Sequence, residues 1–347
     1  MNSAPTLCPD GRPATLITLE HECGTRLTLM DWGGTWLSCL VPLADGSRRE
    51  VLLGCERLED YFRQTAYLGA TIGRYANRIG HSRFSRQGHT FNLLANQGPH
   101  QLHGGPDSFD RRRWQIIEQG RDHVCLGIES PAGDQGFPGN LSARVLYRLL
   151  PDCRISMEYQ AQVDAPCPVN LTNHAYFNLD GAATDARQHG LQIRAQYYVP
   201  VDAGLIPTGE LQPVGGSSFD FTAPKCIARD FLADAQQQLC GGYDHAWLLD
   251  EACKAMADPA AVLVSGDQRL AMDLYTTKPG LQFYSGNFLA GTPARDGGHY
   301  AVHQGVALET QFLPDSPNHP EWPQPDCWLL PGVTYQHTTQ LQFRPIP

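Results

Sequence analysis

The stretch Ile155-Ser-Met-Glu-Tyr-Gln-Ala-Gln-Val163 puts an apolar residue at every second position over nine residues. Successive side chains of an extended chain point to opposite faces, so this period of two predicts a strand with one face buried. The same alternation recurs outward in both directions, at Thr15 to Glu20, Arg26 to Met30, Leu141 to Leu149, Ala261 to Val264, Leu270 to Tyr275 and Gln340 to Phe343. Turn formers separate the runs: Asp45-Gly46, Gly88, Pro151-Asp152, Asp180-Gly181, Pro207-Thr-Gly209 and Pro331-Gly332. Helical periodicity is scarce. Leu58 to Gln64 and Arg229 to Leu239 are the candidates, the second with Asp230 near its start and Gly241-Gly242 just beyond its end. Pro and Gly are spread evenly, with no repeat period and no linker, so residues 1–347 are expected to form one domain. The expected class is all-β: a large antiparallel β-sandwich with a few short helices.

Composition narrows the functions open to such a chain. The formal charge is −10 and lysine occurs only at Lys225, Lys254 and Lys278, so no basic tract offers a footprint for nucleic acid or anionic lipid. Arg111-Arg112-Arg113 is expected to be a short solvated run. The 11 cysteines are odd in number, irregularly spaced and without a C-x-x-C pair, which argues against a disulfide framework and against thiolate zinc sites. Met1 to Thr15 carries Pro5, Pro9, Pro13 and Asp10 where a secretory leader needs an apolar core, and no apolar run approaches the ~18 residues of a membrane span. A cytoplasmic location is expected, with no nucleic-acid or membrane partner.

Five chemically loaded residues, Arg78, His103, His174, Asp244 and Glu309, each lie in a short run rich in small or amide side chains. They offer one fixed cation, two groups that titrate near neutrality and two carboxylates, which suits proton transfer on a neutral polyol. In Leu68-Gly-Ala-Thr-Ile-Gly-Arg-Tyr-Ala-Asn-Arg-Ile-Gly80, Asn77 and Arg78 supply donors for hydroxyls. An arginine there serves equally as a clamp on loop carbonyls, and Arg74 is the rival to Arg78. Asn96-Gln-Gly-Pro-His-Gln-Leu-His-Gly-Gly-Pro106 has H-x-x-H spacing in a loop, where Gly104-Gly105 leave His103 little cover. Zinc needs a third ligand, so a hydrogen-bonding His103 is the favoured reading and no metal is expected. His174 lies among polar neighbours in Val169-Asn-Leu-Thr-Asn-His-Ala-Tyr-Phe-Asn-Leu179, although a histidine in a strand is commonly a satisfied core residue. Glu309 ends an apolar strand, where burial would raise its pKa and a neighbouring donor would lower it. Gln282, in Gly280-Leu-Gln-Phe-Tyr-Ser-Gly-Asn287, adds a neutral donor and acceptor. Trp322 and Trp328, in a proline-rich stretch after Glu309, could stack on a sugar ring or simply pack at a rim.

Taken together these runs resemble the aldose 1-epimerase family, the galactose mutarotases, and most closely its bacterial members. The matching pieces are G-R-Y-A-N-R-I at 73–79, L-H-G-G at 102–105, T-N-H-A-Y-F-N-L at 172–179, G-Y-D-H at 242–245, Q-F-Y-S-G-N at 282–287, L-E-T-Q at 308–311 and P-D-S-P-N-H-P-E-W-P at 314–323. The resemblance covers essentially the whole chain. It implies a β-sandwich of galactose mutarotase type that interconverts the α and β anomers of free aldohexoses such as galactose and glucose. It further implies no cofactor, a place in hexose metabolism and a monomer or homodimer. By the same resemblance Glu309 would be the general base and His174 the general acid, with Asn77, Arg78, His103, Tyr176, Asp244 and Gln282 holding the sugar. The alternatives are a glycoside hydrolase using Asp244 and Glu309, a sugar-phosphate 1-epimerase of related fold, and a non-catalytic carbohydrate-binding protein.

Overall fold

Alternation along Leu141–Leu150 and Arg154–Val163 buries every second residue, and the two strands pair antiparallel over their whole length. They stand near the middle of a nine-stranded sheet that runs Gln115–Gln119, His123–Ser130, Leu141–Leu150, Arg154–Val163, Tyr335–Pro345, Leu270–Thr276, Ala261–Val264, Gly190–Ile193 and Lys225–Cys226. A second sheet of six strands runs Tyr176–Phe177, Val306–Gln311, Gly280–Tyr284, Asp244–Leu249, Ala195–Val199 and Gln212–Pro213. A third, four-stranded sheet is formed by Leu16–Glu20, Arg26–Met30, Thr35–Pro42 and Arg48–Glu50. All strand pairs within these sheets are antiparallel. The structure, a computed structural model, describes residues 6–181 and 184–347. Pro5, part of the leader reading, lies outside them.

One apolar core joins the layers. Tyr147, Tyr159 and Leu341 of the nine-stranded sheet share a cluster with Trp247, Phe283 and Leu308 of the six-stranded sheet and with Leu19, Leu29 and Trp36 of the four-stranded sheet. Burial of aromatic rings this large is the main favourable term holding the sheets together.

Helices are short, as expected, but differ in their bounds. The helix expected over Leu58 to Gln64 contracts to Leu58–Tyr61. That expected over Arg229 to Leu239 divides into a 3-10 turn, Ile227–Asp230, and the helix Ala235–Cys240. Asp234, not Asp230, caps the helix, its carboxylate accepting the amides of Gln236 at 2.9 Å and Gln237 at 3.1 Å. Asp230 instead pairs with Lys225 at 2.7 Å. The arginine run is not freely solvated either: Arg112 holds Asp134 at 2.6 Å, and Arg113 bridges Asp10 and Asp31.

Two-residue pairings bring remote segments to one end of the sandwich. Thr172–Asn173 pairs with Thr71–Ile72, and Arg78–Ile79 pairs with Gln101–Leu102. Gly69 is the pivot: its carbonyl accepts the amide of Trp36 at 2.8 Å and the side chain of Asn173 at 2.7 Å, while its amide donates to His174 O at 3.0 Å. It adopts φ +67°, and a Cβ there would sit 2.1 Å from Trp36 O. Gly69→Ala is therefore expected to lower the unfolding free energy by roughly 1–3 kcal/mol. Urea denaturation would show this as a lower midpoint at unchanged slope.

Candidate active site

Asp244, Gln282 and Glu309 share one face of the six-stranded sheet because Asp244 lies opposite Tyr284, Ala246 opposite Gln282, and Gln282 opposite Glu309. Tyr176 reaches the same face through its pairing with Ala307. Over this face fold the segments that carry Asn77, Arg78, His103 and His174, enclosing a cavity of about 230 Å³. Asn77, Arg78, His103, His174, Tyr176, Asp244 and Glu309 line it. Gln282 lies beneath, donating to Asp244 Oδ1 at 2.7 Å.

His174 Nε2 and Glu309 Oε1 face each other at 3.7 Å, both side chains nearly inaccessible. His174 Nδ1, Glu309 Oε2 and Gln282 Oε1 are buried with no hydrogen-bond partner among the described residues. Burial, reinforced by the Asp244 carboxylate and only partly opposed by Arg78, raises the Glu309 pKa to about 8. Burial lowers His174 to about 4. His103 is pushed well below the usual imidazole range by burial and by the neighbouring His174 and Arg78. The expectation of two imidazoles titrating near neutrality thus fails, and the carboxylic acid titrates there instead. The expectation of little cover for His103 fails as well: it is 4% exposed, packed against the rings of Tyr67 at 4.7 Å and His174 at 5.2 Å.

His103 Nδ1 accepts the Asn77 amide at 3.1 Å, while the His103 amide returns to Asn77 O at 3.0 Å. An Nδ1 that accepts must be unprotonated, so neutral His103 carries its proton on Nε2. His103, His174 and Glu309 bring ligand atoms within 4.8 Å of one another, the spacing of a metal site. The tautomer makes His103 Nε2 a donor with no free lone pair, so the trio fits an oxygen-rich ligand better than a cation.

The two arginines of one run have different positions. Arg74 is 2% exposed and clamps loop carbonyls, donating to Ser130 O and Pro131 O at 2.7 Å and to Pro138 O and Gly139 O at 3.0 Å. Arg78 lines the cavity, held by Gln97 Oε1 at 2.7 Å and by Asp244 at 3.6 Å. His100 turns away to accept the His81 amide, and His245 points into an aromatic cluster against Phe219. Trp322 and Trp328 line a different cavity. Trp322 stacks on His319 at 4.2 Å, and Trp328 lies under Arg86. Sequence reasoning left out Tyr67, Gln97, Tyr284 and Phe288, which also line the pocket. Gln97 and Tyr284 lie inside the motif runs and Tyr67 and Phe288 flank two of them, so proximity to those runs was the available signal.

The family model for aldose 1-epimerase matches residues 15–342. Aldose 1-epimerase of Escherichia coli is 57% identical over 99% of both chains, and that of Haemophilus influenzae 47% identical over 97% of both. Human galactose mutarotase is 39% identical over 92% of this chain and 91% of its own. Among solved structures, galactose 1-epimerase from Lactobacillus acidophilus superposes with a TM-score of 0.85 at 27% identity, covering 99% of this chain and 98% of that one. The fold and these relatives define a class, the β-rich carbohydrate isomerases of galactose mutarotase type. The chain belongs to the aldose 1-epimerase family.

Glu309 binds its extra proton in the folded state between its ordinary value of 4.5 and about 8, so folded stability falls as pH rises through that window. Glu309→Gln removes this dependence. The variant is expected to be no more stable than wild type near about pH 5 and more stable by a few kcal/mol near about pH 9. Urea midpoints at the two pH values check it.

Proposed function

We propose that Glu309 and His174 are the acid/base pair that opens and recloses the ring of a free aldohexose, interconverting its α and β anomers. The observation that carries this is their approach at 3.7 Å inside a buried cavity, each with a further polar atom unpaired among the described residues. Glu309 takes the proton of the C1 hydroxyl while His174 gives one to the ring oxygen; the C1–O5 bond breaks and an aldehyde forms. Rotation about C1–C2 presents the other carbonyl face. Closure reverses both transfers, so each group alternates as acid and base. Neutral His103, an Nε2–H donor, and Arg78 stabilise charge developing on the oxygens. Asn77, Tyr176 and Asp244 complete the sugar contacts, and Gln282 supports them from beneath by holding Asp244.

The pocket favours a neutral sugar over its phosphate. Arg78 is its one fixed cation among the described residues, and Asp244 stands 3.6 Å away to offset it. Asp244 is also engaged by Gln282, which makes it a poor partner carboxylate for glycoside hydrolysis. A single domain is supported by the core that spans Ile17 to Phe343. A cytoplasmic location fits 11 cysteines that are all free.

Glu309→Gln and His174→Asn are each expected to lower kcat by roughly two to four powers of ten, read by polarimetry on galactose. Turnover near wild type in either variant would remove that residue from the pair. The pH profile gives a second check. Between about pH 4 and about pH 8 the pair holds one proton in total, and the reactive form, ionised Glu309 with protonated His174, is a tautomer of that state. kcat/KM is therefore expected to be level across this interval and to fall on both sides.

A further inference from the structure

Away from the pocket, one cluster of nucleophilic side chains has no part in sugar chemistry. Cys23 lies in the turn between Leu16–Glu20 and Arg26–Met30, and Cys153 in the hairpin between Leu141–Leu150 and Arg154–Val163. They are 130 residues apart in the chain, yet Cys153 Sγ sits 3.7 Å from Cys23 O. The two side chains are close enough for each to shift the titration of the other. Both also reach Thr25, whose hydroxyl is 3.3 Å from Cys23 Sγ. His21 stands beside Cys23, its Nδ1 accepting the Cys23 amide at 3.2 Å. Both cysteines are half-buried and so open to a small oxidant, whereas all the others except Cys226 are buried.

We propose that Cys23 and Cys153 form a peroxide-sensitive dithiol site in which Cys23 is the attacking thiolate and Cys153 the resolving thiol. The electrostatics divide the roles in this way. Burial pushes the Cys23 thiol up, but hydrogen bonds from Cys153, Thr25 and His21 outweigh it and bring the group to about 7. Burial and the bond to Cys23 drive Cys153 up to about 11. In the first step Cys23 sulfur displaces hydroxide from hydrogen peroxide, which leaves as water after protonation, and Cys23 becomes a sulfenic acid. In the second, Cys153 sulfur attacks the Cys23 sulfur; the S–S bond forms, the S–O bond breaks, and the Cys153 proton leaves with the hydroxyl as a second water. The two thiols lose two electrons and the peroxide gains them. The bond would staple the first hairpin of the four-stranded sheet to the nine-stranded sheet and close a long loop, which restrains the unfolded chain.

The test is one equivalent of hydrogen peroxide on the full chain, followed by thiol alkylation and peptide mapping by mass spectrometry. The expected product is a Cys23–Cys153 cross-link with a loss of about 2 Da, reversed by dithiothreitol, and a melting temperature raised by several degrees. Cys153→Ser is expected to stop at a Cys23 sulfenic acid that dimedone traps, and Cys23→Ser to leave Cys153 a thiol. Mutarotation of galactose by both variants verifies that they fold. Oxidation spread over the cysteines without preference, or Cys23 left unmodified in Cys153→Ser, overturns the proposal.

Discussion

Desolvation is the constraint from which the chemistry of this pocket follows. A carboxyl group and an imidazole 3.7 Å apart in water would divide one proton as an ion pair; with both nearly inaccessible, the charged forms lose more hydration than their attraction returns. Glu309 moves up and His174 down, and the proton rests on the carboxyl. The charged arrangement is favoured when a ligand offers polar atoms to both groups. In the proposed mechanism a hexose brings a hydroxyl to one group and a ring oxygen to the other, so substrate would supply the solvation that burial removed.

The fold creates that burial by stacking supports behind each group. Glu309 stands in a strand paired along its length with Gly280–Tyr284 on one side and, at Val306 and Ala307, with Tyr176–Phe177 on the other. His174 is pinned by residues 69–72 through the Gly69 and Ala70 hydrogen bonds. The proline-rich loop that follows Glu309 is part of the same support: the Asp315 amide donates to Arg78 O at 2.8 Å and its carboxylate accepts Gly80 N at 2.9 Å. The loop therefore fastens the Arg78 strand from behind. That role needs no contact between its tryptophans and the pocket, and they line a different cavity.

What was legible in the sequence divides along the same physical line. In the nine-stranded sheet Leu141–Leu150 has one face toward the core and one toward solvent, so it shows a strict alternation and was readable at nearly its true bounds. In the six-stranded sheet Gly280–Tyr284 and Val306–Gln311 are buried on both faces, and no alternation survives to mark them. The two-residue strands that place Arg78 and His174 are shorter than any period can register. These site-bearing segments were found through their motifs instead. The pKa directions were not legible, because whether burial or the Arg78 cation dominates at Glu309 depends on packing that no local run specifies.

Arg74 and Arg78 show where local reading stops. They lie in one run, four residues apart, with similar small neighbours, and either could serve as a clamp. The difference arises from what the rest of the chain presents to each. Five carbonyl and hydroxyl oxygens between Ser130 and Gly139 surround Arg74, and among the described residues no carboxylate pairs with it, so its charge is dispersed over neutral dipoles and it fixes a loop. Arg78 meets a neutral amide, Gln97, and a carboxylate, Asp244, across an open cavity. Its field is compensated at Asp244 yet still lowers Glu309 against the larger effect of burial. A pocket balanced in this way offers no net positive field to draw an anion, and in the proposed mechanism it would hold a neutral ligand by directed hydrogen bonds whose strength grows as charge develops on the sugar oxygens.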